Sequence, residues 1–263
     1  MELGLSGKAA IVTGGAEGVG RAAAARLARE GANVLIVGRR QDVLAEAATA
    51  LSQPTGGRVI AHAADITGAS APAEIVAAAL SAFGRLDILV NNAGVALAKP
   101  FEAATRDDWN SDFNVKVWAA IELIRGAIPE MRRQGGGRII NVTSIDGRTP
   151  RASTMPTSVA RAAGIAMTKG LSRDLAADNI LVNTVCIGFI RSGQHERRFA
   201  RTAPGNSDLD ALYAEDAKRR GVPLGRVGEG EEAGDVIAFL ASERASYLTG
   251  IAINIDGGTS AVV

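Results

Sequence analysis

Residues 9–32 read AAIVTGGAEGVGRAAAARLAREGA. The first five are apolar or β-branched, the composition of a buried strand over 9–13. From Gly18 onward alanine, leucine and arginine dominate, which predicts a helix over 18–30. Between the two lie Gly14, Gly18 and Gly20, spaced T-G-x-x-x-G-x-G. Glycines at a strand-to-helix turn let the chain bend tightly and let a pyrophosphate approach the backbone. The helix behind them offers amide donors and the positive end of its dipole. In this context the turn reads as a dinucleotide site rather than a plain packing turn.

The same alternation continues along the chain. Short β-branched runs occur at 33–38, 58–63, 86–91, 138–143, 180–187 and 251–255, and Ala-rich helical stretches at 42–52, 72–83, 106–133, 156–178 and 229–241. The strand runs are apolar without strict alternation, as parallel strands covered on both faces are. The expected fold class is α/β, a doubly wound parallel sheet with helices on both faces. With no internal repeat or low-complexity linker, residues 1–263 read as one dinucleotide-binding domain. About forty residues, 188–228, separate the sixth strand from the last helix. An insertion after a strand's carboxyl end is where a substrate lid would sit.

Composition narrows the class. Of 263 residues 47% are apolar and 4% aromatic, and 29 basic residues against 28 acidic leave a net charge of +1. This balance gives no reason to expect nucleic acid or an anionic membrane as partner. No run reaches the roughly 18 apolar residues of a membrane span, and MELGLSGKAAIV is no secretory signal. The single cysteine, Cys186, sits in the apolar run ILVNTVCIG and reads as a buried structural thiol. A cytoplasmic location is expected.

Further landmarks follow in order: Asp65 in ADIT, N-N-A-G at 91–94, Asn114 in FNVKV, Ser144 in INVTS, the run ILVNTVCIGFIRS and DGG at 256–258. Together with the glycine spacing they resemble the short-chain dehydrogenase/reductase family over essentially the whole chain. The resemblance implies a seven-stranded parallel Rossmann-type sheet. It implies an active-site asparagine at Asn114 and a catalytic serine at Ser144. It places a dinucleotide against Gly14, Ala16, Glu17, Gly18, Val19 and Gly20. Farther along, the cofactor would meet Asp65 and Ile66 beside the adenine, then Asn91, Ala93 and Gly94. Arg161 would hold the nicotinamide ribose, and Gly188, Ile190 and Ser192 the carboxamide turn. No metal is implied.

The second strand ends Gly38-Arg39-Arg40, without the acidic residue that NAD enzymes use for the ribose 2′-hydroxyl. Arg39 and Arg40 suit a 2′-phosphate. Glu17 argues the other way, because a carboxylate would repel it. NADP(H) is the expected cofactor, with NAD(H) the alternative.

One segment departs from the family's pattern. A tyrosine and a lysine four apart are expected after the serine strand, and the chain has Thr157 and Arg161 in TSVAR. The Pro-Gly that usually ends the sixth strand is replaced by Ile187-Gly188. Arg161 can supply positive field and ribose hydrogen bonds. Thr157 can donate a hydrogen bond but is a poor net acid. Candidate substitutes are Asp146, whose pKa would rise in an apolar pocket, His195 and Tyr213. Each has a plainer role: a turn residue, an exposed lid histidine, a packed lid tyrosine. Tyr247 reads as core or interface, His62 as core. Arg197, Arg198 and Arg201 read as a solvated face or a site for an anionic substrate.

The expected function is therefore an atypical NAD(P)-dependent oxidoreductase. It would transfer hydride to or from a carbonyl/alcohol, or a C=N or C=C acceptor, of a small molecule. A non-redox lyase or isomerase on the same scaffold and a cofactor-binding protein without turnover are the alternatives. A homo-oligomer, tetramer or dimer, follows chiefly from the resemblance.

Overall fold

A computed structural model describes residues 2–52, 56–202 and 208–263. The chain begins β1 (Ala9–Thr13), α1 (Gly18–Arg29), β2 (Asn33–Gly38), α2 (Gln41–Ser52), β3 (Val59–Ala63), α3 (Ala71–Phe83) and β4 (Ile88–Asn91). It continues β5 (Ala98–Lys99), α4 (Arg106–Phe113), α5 (Ala119–Arg133), β6 (Gly137–Ser144), β7 (Met155–Pro156), α6 (Thr157–Asp174) and β8 (Ile180–Ile187). Helices α7 (Gly193–Thr202), α8 (Leu209–Arg219) and α9 (Gly230–Ala241) precede β9 (Ala252–Ile255).

Seven strands form one parallel sheet in the order β3-β2-β1-β4-β6-β8-β9. The order reverses beside β1, so the carboxyl ends of β1 and β4 open onto the crevice where such sheets bind ligands. Two apolar layers hold the sheet. One joins α1 and α9 to β1, β2 and β6 through Val12, Leu27, Ile36, Val142 and Ile237. The other joins α3 and α5 to the opposite face through Ile11, Ile75, Leu89, Leu123 and Ile139. Small residues let helices approach closely: a Cβ on Gly234 would lie 2.8 Å from the Ala22 backbone.

One sequence expectation changes, and the structure adds detail at two other places. The stretch 106–133 is not one regular helix, because a π turn over Asn114–Trp118 separates α4 from α5. Such a turn rotates the side chains that follow it relative to those before. A two-stranded antiparallel ribbon, β5 with β7, was not anticipated from so short a pair of segments. The insertion 188–228 carries α7 and α8, with residues 203–207 of it outside the described set. It has a small core of its own, made of Phe189, Phe199, Tyr213, Ala217, Val222 and Val227.

Candidate active site

The glycine turn has the geometry its sequence predicts. Gly18 has φ +53°, where a side chain would be strained, and opens α1. A Cβ on Gly20 would fall 2.2 Å from the Gly14 carbonyl oxygen, so only glycine fits. Gly14, Ala16 and Glu17 lead into this turn, and Val19 packs inward. No side chain caps the N-terminus of α1, although Glu17 stands at the capping position. Its first amides thus face the crevice with the positive end of the helix dipole.

Glu17 does not stand alone. Its carboxylate pairs with Arg40 at 2.9 Å and with Arg197 of α7 at 3.3 Å. Burial would raise its pKa, but the hydrogen bonds from Arg197 and Arg40 bring it below the usual range. The repulsion expected of a lone Glu17 is therefore offset by two guanidiniums. Arg39 is exposed near Asp65. The Asp65 carboxylate is held low first by the Thr67 backbone and hydroxyl bonds, with a contribution from Arg39. Ile66 is buried next to it.

The N-N-A-G segment ties the end of β4 to the glycine turn. Thr13 Oγ1 accepts from the amides of Asn92 and Ala93 at 2.9 and 3.0 Å, and Asn92 Nδ2 donates to the Thr13 carbonyl. Asn91 Nδ2 donates to Asn141 Oδ1 at 3.0 Å, while its own Oδ1 is buried without a partner. Gly94 is exposed above the side chains of Arg161 and Lys116, which would lie 3.3 and 3.4 Å from a Cβ there. On the far side, Gly188 closes β8 with a bond to the Ile255 carbonyl, Ile190 is buried, and Ser192 faces Gly18.

Ser144 ends β6, and its Oγ is buried without a hydrogen-bond partner. The turn that follows packs against α6, with Gly147 too close to Arg161 to bear a side chain. Thr157 opens α6 and is buried. Four residues on, Arg161 turns inward: Nη1 donates to the Val142 carbonyl at 2.6 Å, and Nε is buried without a partner.

Asn114 lies on the neighbouring π turn. It starts the π turn and is exposed, whereas Lys116, two residues on, is turned inside. Lys116 forms a buried ion pair with Asp112 of α4, and their side chains are 1% and 2% exposed. Lys116 Nζ also lies 3.5 Å from Thr157 Oγ1, and Thr157 Oγ1 lies 3.4 Å from Asp112 Oδ1. Burial, then the charge of Arg161, push the Lys116 ammonium down to about 8 against the opposing effect of Asp112. A cavity of about 20 Å³, room for one water, lies beneath, lined by Asn91, Lys116 and Arg161 among others. Sequence reading missed Asp112 and Lys116. Their signal was an acid–base pair at i, i+4, which ordinarily marks an exposed helix face.

The substitute acids are placed elsewhere or otherwise engaged. Asp146 is not alone in an apolar pocket: Arg151 holds both its oxygens at 2.8 and 3.1 Å. Tyr213 is a packed residue of the lid core, its hydroxyl donating to the Ser192 carbonyl and accepting from the Ser192 amide. His195 is not exposed; it packs edge-on against Phe189. Burial, with Arg198 and Arg220, lowers it to about 4, so it is neutral at physiological pH. Tyr247 is fully exposed rather than core, and His62 is half-buried in β3. Arg197 and Arg198 pair with Glu17 and Asp216, and Arg201 is exposed. Cys186 is buried beside Thr143, and burial raises its thiol pKa. Among the described residues no cluster of His, Cys, Asp or Glu could hold a metal, and no helix is long and apolar enough to cross a membrane.

Comparison with known proteins agrees with this fold. Residues 14–260 match the family model described as enoyl-(acyl carrier protein) reductase. The 3-oxoacyl-(acyl-carrier-protein) reductase of Thermotoga maritima is 34% identical over 97% of this chain and 98% of its own length. Dehydrogenase/reductase SDR family member 4 of Oryctolagus cuniculus is 34% identical over 97% and 94%. Two solved structures superpose along nearly the full length. The L-sorbose reductase of Gluconobacter frateurii, complexed with NADPH and L-sorbose, has a TM-score of 0.93 at 34% identity, covering 100% of both chains. An NADPH-bound short chain oxidoreductase of Pseudomonas aeruginosa, described as containing an atypical catalytic center, has a TM-score of 0.92 at 32% identity, covering 99% of each.

Proposed function

The chain belongs to the short-chain dehydrogenase/reductase family, and on that premise we propose an NADP(H)-dependent oxidoreductase that moves hydride between the nicotinamide and a carbonyl or alcohol carbon of a small molecule. Thr157 and Arg161 stand in place of the family's tyrosine and lysine. One observation carries the reading. Ser144 Oγ, Asp112 Oδ2 and Arg161 Nε are all buried and all without partners. Buried polar atoms are normally bonded, so open ones on β6, α4 and α6, the elements that carry the site, favour a ligand that completes them.

The residues present fit the nucleotide. The uncapped start of α1 suits its pyrophosphate, and Arg39 and Arg40 suit a 2′-phosphate. The Arg40–Glu17 pair is solvent-exposed and hence weak, so Arg40 can exchange partners at little cost. The NADPH held by both structural neighbours supports the same preference. Bound there, the nucleotide would supply the hydride. The chain's own part is polar: Ser144 Oγ is free to donate to the substrate oxygen, and the net positive charge of Lys116, Arg161 and Asp112 favours an oxyanion there. The segment 188–228 is read as the substrate lid, supported by its separate core and by the Arg197–Glu17 tie to the cofactor turn. Exposed Trp118 and Tyr247 support a homo-oligomer, which light scattering would test.

The direct test mixes purified protein with NADPH or NADH and a panel of ketones, aldehydes and imines. Loss of reduced-nicotinamide absorbance with at least one acceptor, faster with NADPH, is expected. Nucleotide binding without oxidation across the panel would instead indicate a binding protein, and no binding would overturn the cofactor assignment as well.

A further inference from the structure

We propose that Lys116 is the proton store of this active site, delivering its proton to the substrate oxygen through the Thr157 hydroxyl, with Asp112 as the counter-ion that holds it in place. This rests on the oxidoreductase reading above. It assigns the acid function that the missing phenol leaves vacant.

The geometry around Thr157 Oγ1 makes the case. A hydroxyl has two lone pairs and one proton. One lone pair accepts from the Leu97 amide at 3.0 Å, and the second faces Lys116 Nζ at 3.5 Å. The Thr157 proton must therefore point elsewhere. Its one protein acceptor is Asp112 Oδ1, at a long 3.4 Å. A substrate oxygen held near Ser144 would offer a better acceptor. The hydroxyl is thus wired with a donor behind it and a loosely held proton in front.

Lys116 is a suitable source. Its amine is sealed from solvent, and Asp112 anchors it from α4 while Arg161 faces it from α6. These are the two charged groups that act on it among the described residues. Arg161 works against the ammonium, so a proton is released more readily here than from an ordinary lysine. Arg161 itself cannot serve, since a guanidinium stays protonated.

The step balances. In reduction, hydride adds to the carbonyl carbon and the C=O π pair moves to oxygen. That oxygen takes the Thr157 proton as Thr157 Oγ takes one from the Lys116 ammonium. Threonine ends unchanged and lysine ends as the neutral amine, sealed from solvent, so its proton returns through the same Thr157 hydroxyl once product has left the crevice. Oxidation runs the same path backwards and needs the neutral amine. In this scheme Thr157 touches the substrate, and Lys116 acts through it as a positioning and proton-supplying residue.

The test compares the pH dependence of carbonyl reduction in wild type, Lys116→Arg and the charge-neutral pair Lys116→Met/Asp112→Asn, with NADPH affinity measured alongside. Lys116→Arg keeps a buried cation but has no proton to give. Wild-type kcat should fall as pH rises through about 8, where the ammonium is lost. In both variants kcat at neutral pH should drop roughly 10²–10⁴-fold. That alkaline limb should vanish while nucleotide affinity stays within about threefold. Lys116→Arg with near-wild-type kcat or the same limb overturns the relay and leaves the oxidoreductase reading standing. Wild type that binds NADPH yet reduces no carbonyl overturns that reading, and the relay with it.

Discussion

Asp216 and Asp112 are both buried carboxylates paired with cations, and they differ in completeness. Asp216, in the lid, receives Arg219 on one oxygen and Arg198 and Arg220 on the other. Burial alone would raise its pKa, yet these bonds hold it well below the carboxylate range. Beside it Tyr213 and His195 are locked among aromatic rings. Asp112, at the crevice, receives Lys116 and Thr157 on one oxygen and nothing on the other. Ser144 Oγ at the end of β6 and Arg161 Nε on α6 are open as well. A saturated network stabilises and fixes a fold, whereas an unsaturated one is left ready for a ligand. The difference assigns structure to the lid cluster and chemistry to the crevice cluster, although the lid holds the more obvious acid–base residues.

Substitutions on each side should separate the two roles. The largest effect is expected at Thr157→Val, which keeps the volume and removes the hydroxyl. It should lower kcat for reduction roughly 10²–10⁴-fold, with a modest fall in melting temperature from the Leu97 amide left unpaired. Thr157→Ser should restore most of the rate. Asp216→Ala should do the reverse. Leaving Arg198 and Arg220 half-buried without their partner should cost about 3 kcal/mol of stability, the low end because Arg219 is solvent-exposed. Denaturant melts would read this, and hydride transfer in the folded protein should persist. The sign with pH follows. Because the folded-state pKa of Asp216 is depressed, its contribution is present above the ordinary carboxylate pKa and disappears as pH falls below it.

Smaller effects are expected farther from the reacting atoms. Arg39→Ala with Arg40→Ala should raise the KM for NADPH roughly tenfold while leaving that for NADH near its starting value. Equal loss for both nucleotides would contradict the 2′-phosphate assignment. The smallest effect is expected at His195→Phe. A histidine already neutral above about 4 has no titration to contribute near neutrality. The pH profile of reduction should keep its shape, and a lost limb would return His195 to the list of acids.

This contrast also explains what sequence could and could not convey. The sheet was legible because parallel strands covered on both faces must be continuously apolar. Gly14, Gly18 and Gly20 marked the turn because a left-handed backbone and a close carbonyl leave no alternative. Thr157 and Arg161 stood out by their i, i+4 spacing at the start of a helix. Lys116 and Asp112 did not, because an i, i+4 ion pair looks the same on an exposed or a buried face. Burial of theirs arises from the packing of α4 and the π turn against α6, which spacing does not encode. Asn114 was singled out by its resemblance to the family's active-site asparagine, and motif matching carries no information on which neighbouring side chain the helix buries. Within the π turn Lys116 is buried and Asn114 exposed. His195 and Tyr213 are chemically able side chains whose tertiary surroundings disable them.

The most direct measurement is a crystal structure of the complex with NADP(H) and an unreactive alcohol or carbonyl analogue. The substrate oxygen should lie within about 3 Å of Thr157 Oγ1, with Ser144 Oγ as its second donor and Lys116 still behind the threonine. An oxygen bound instead to Asp146, His195 or Tyr213, with Thr157 out of reach, would contradict the account.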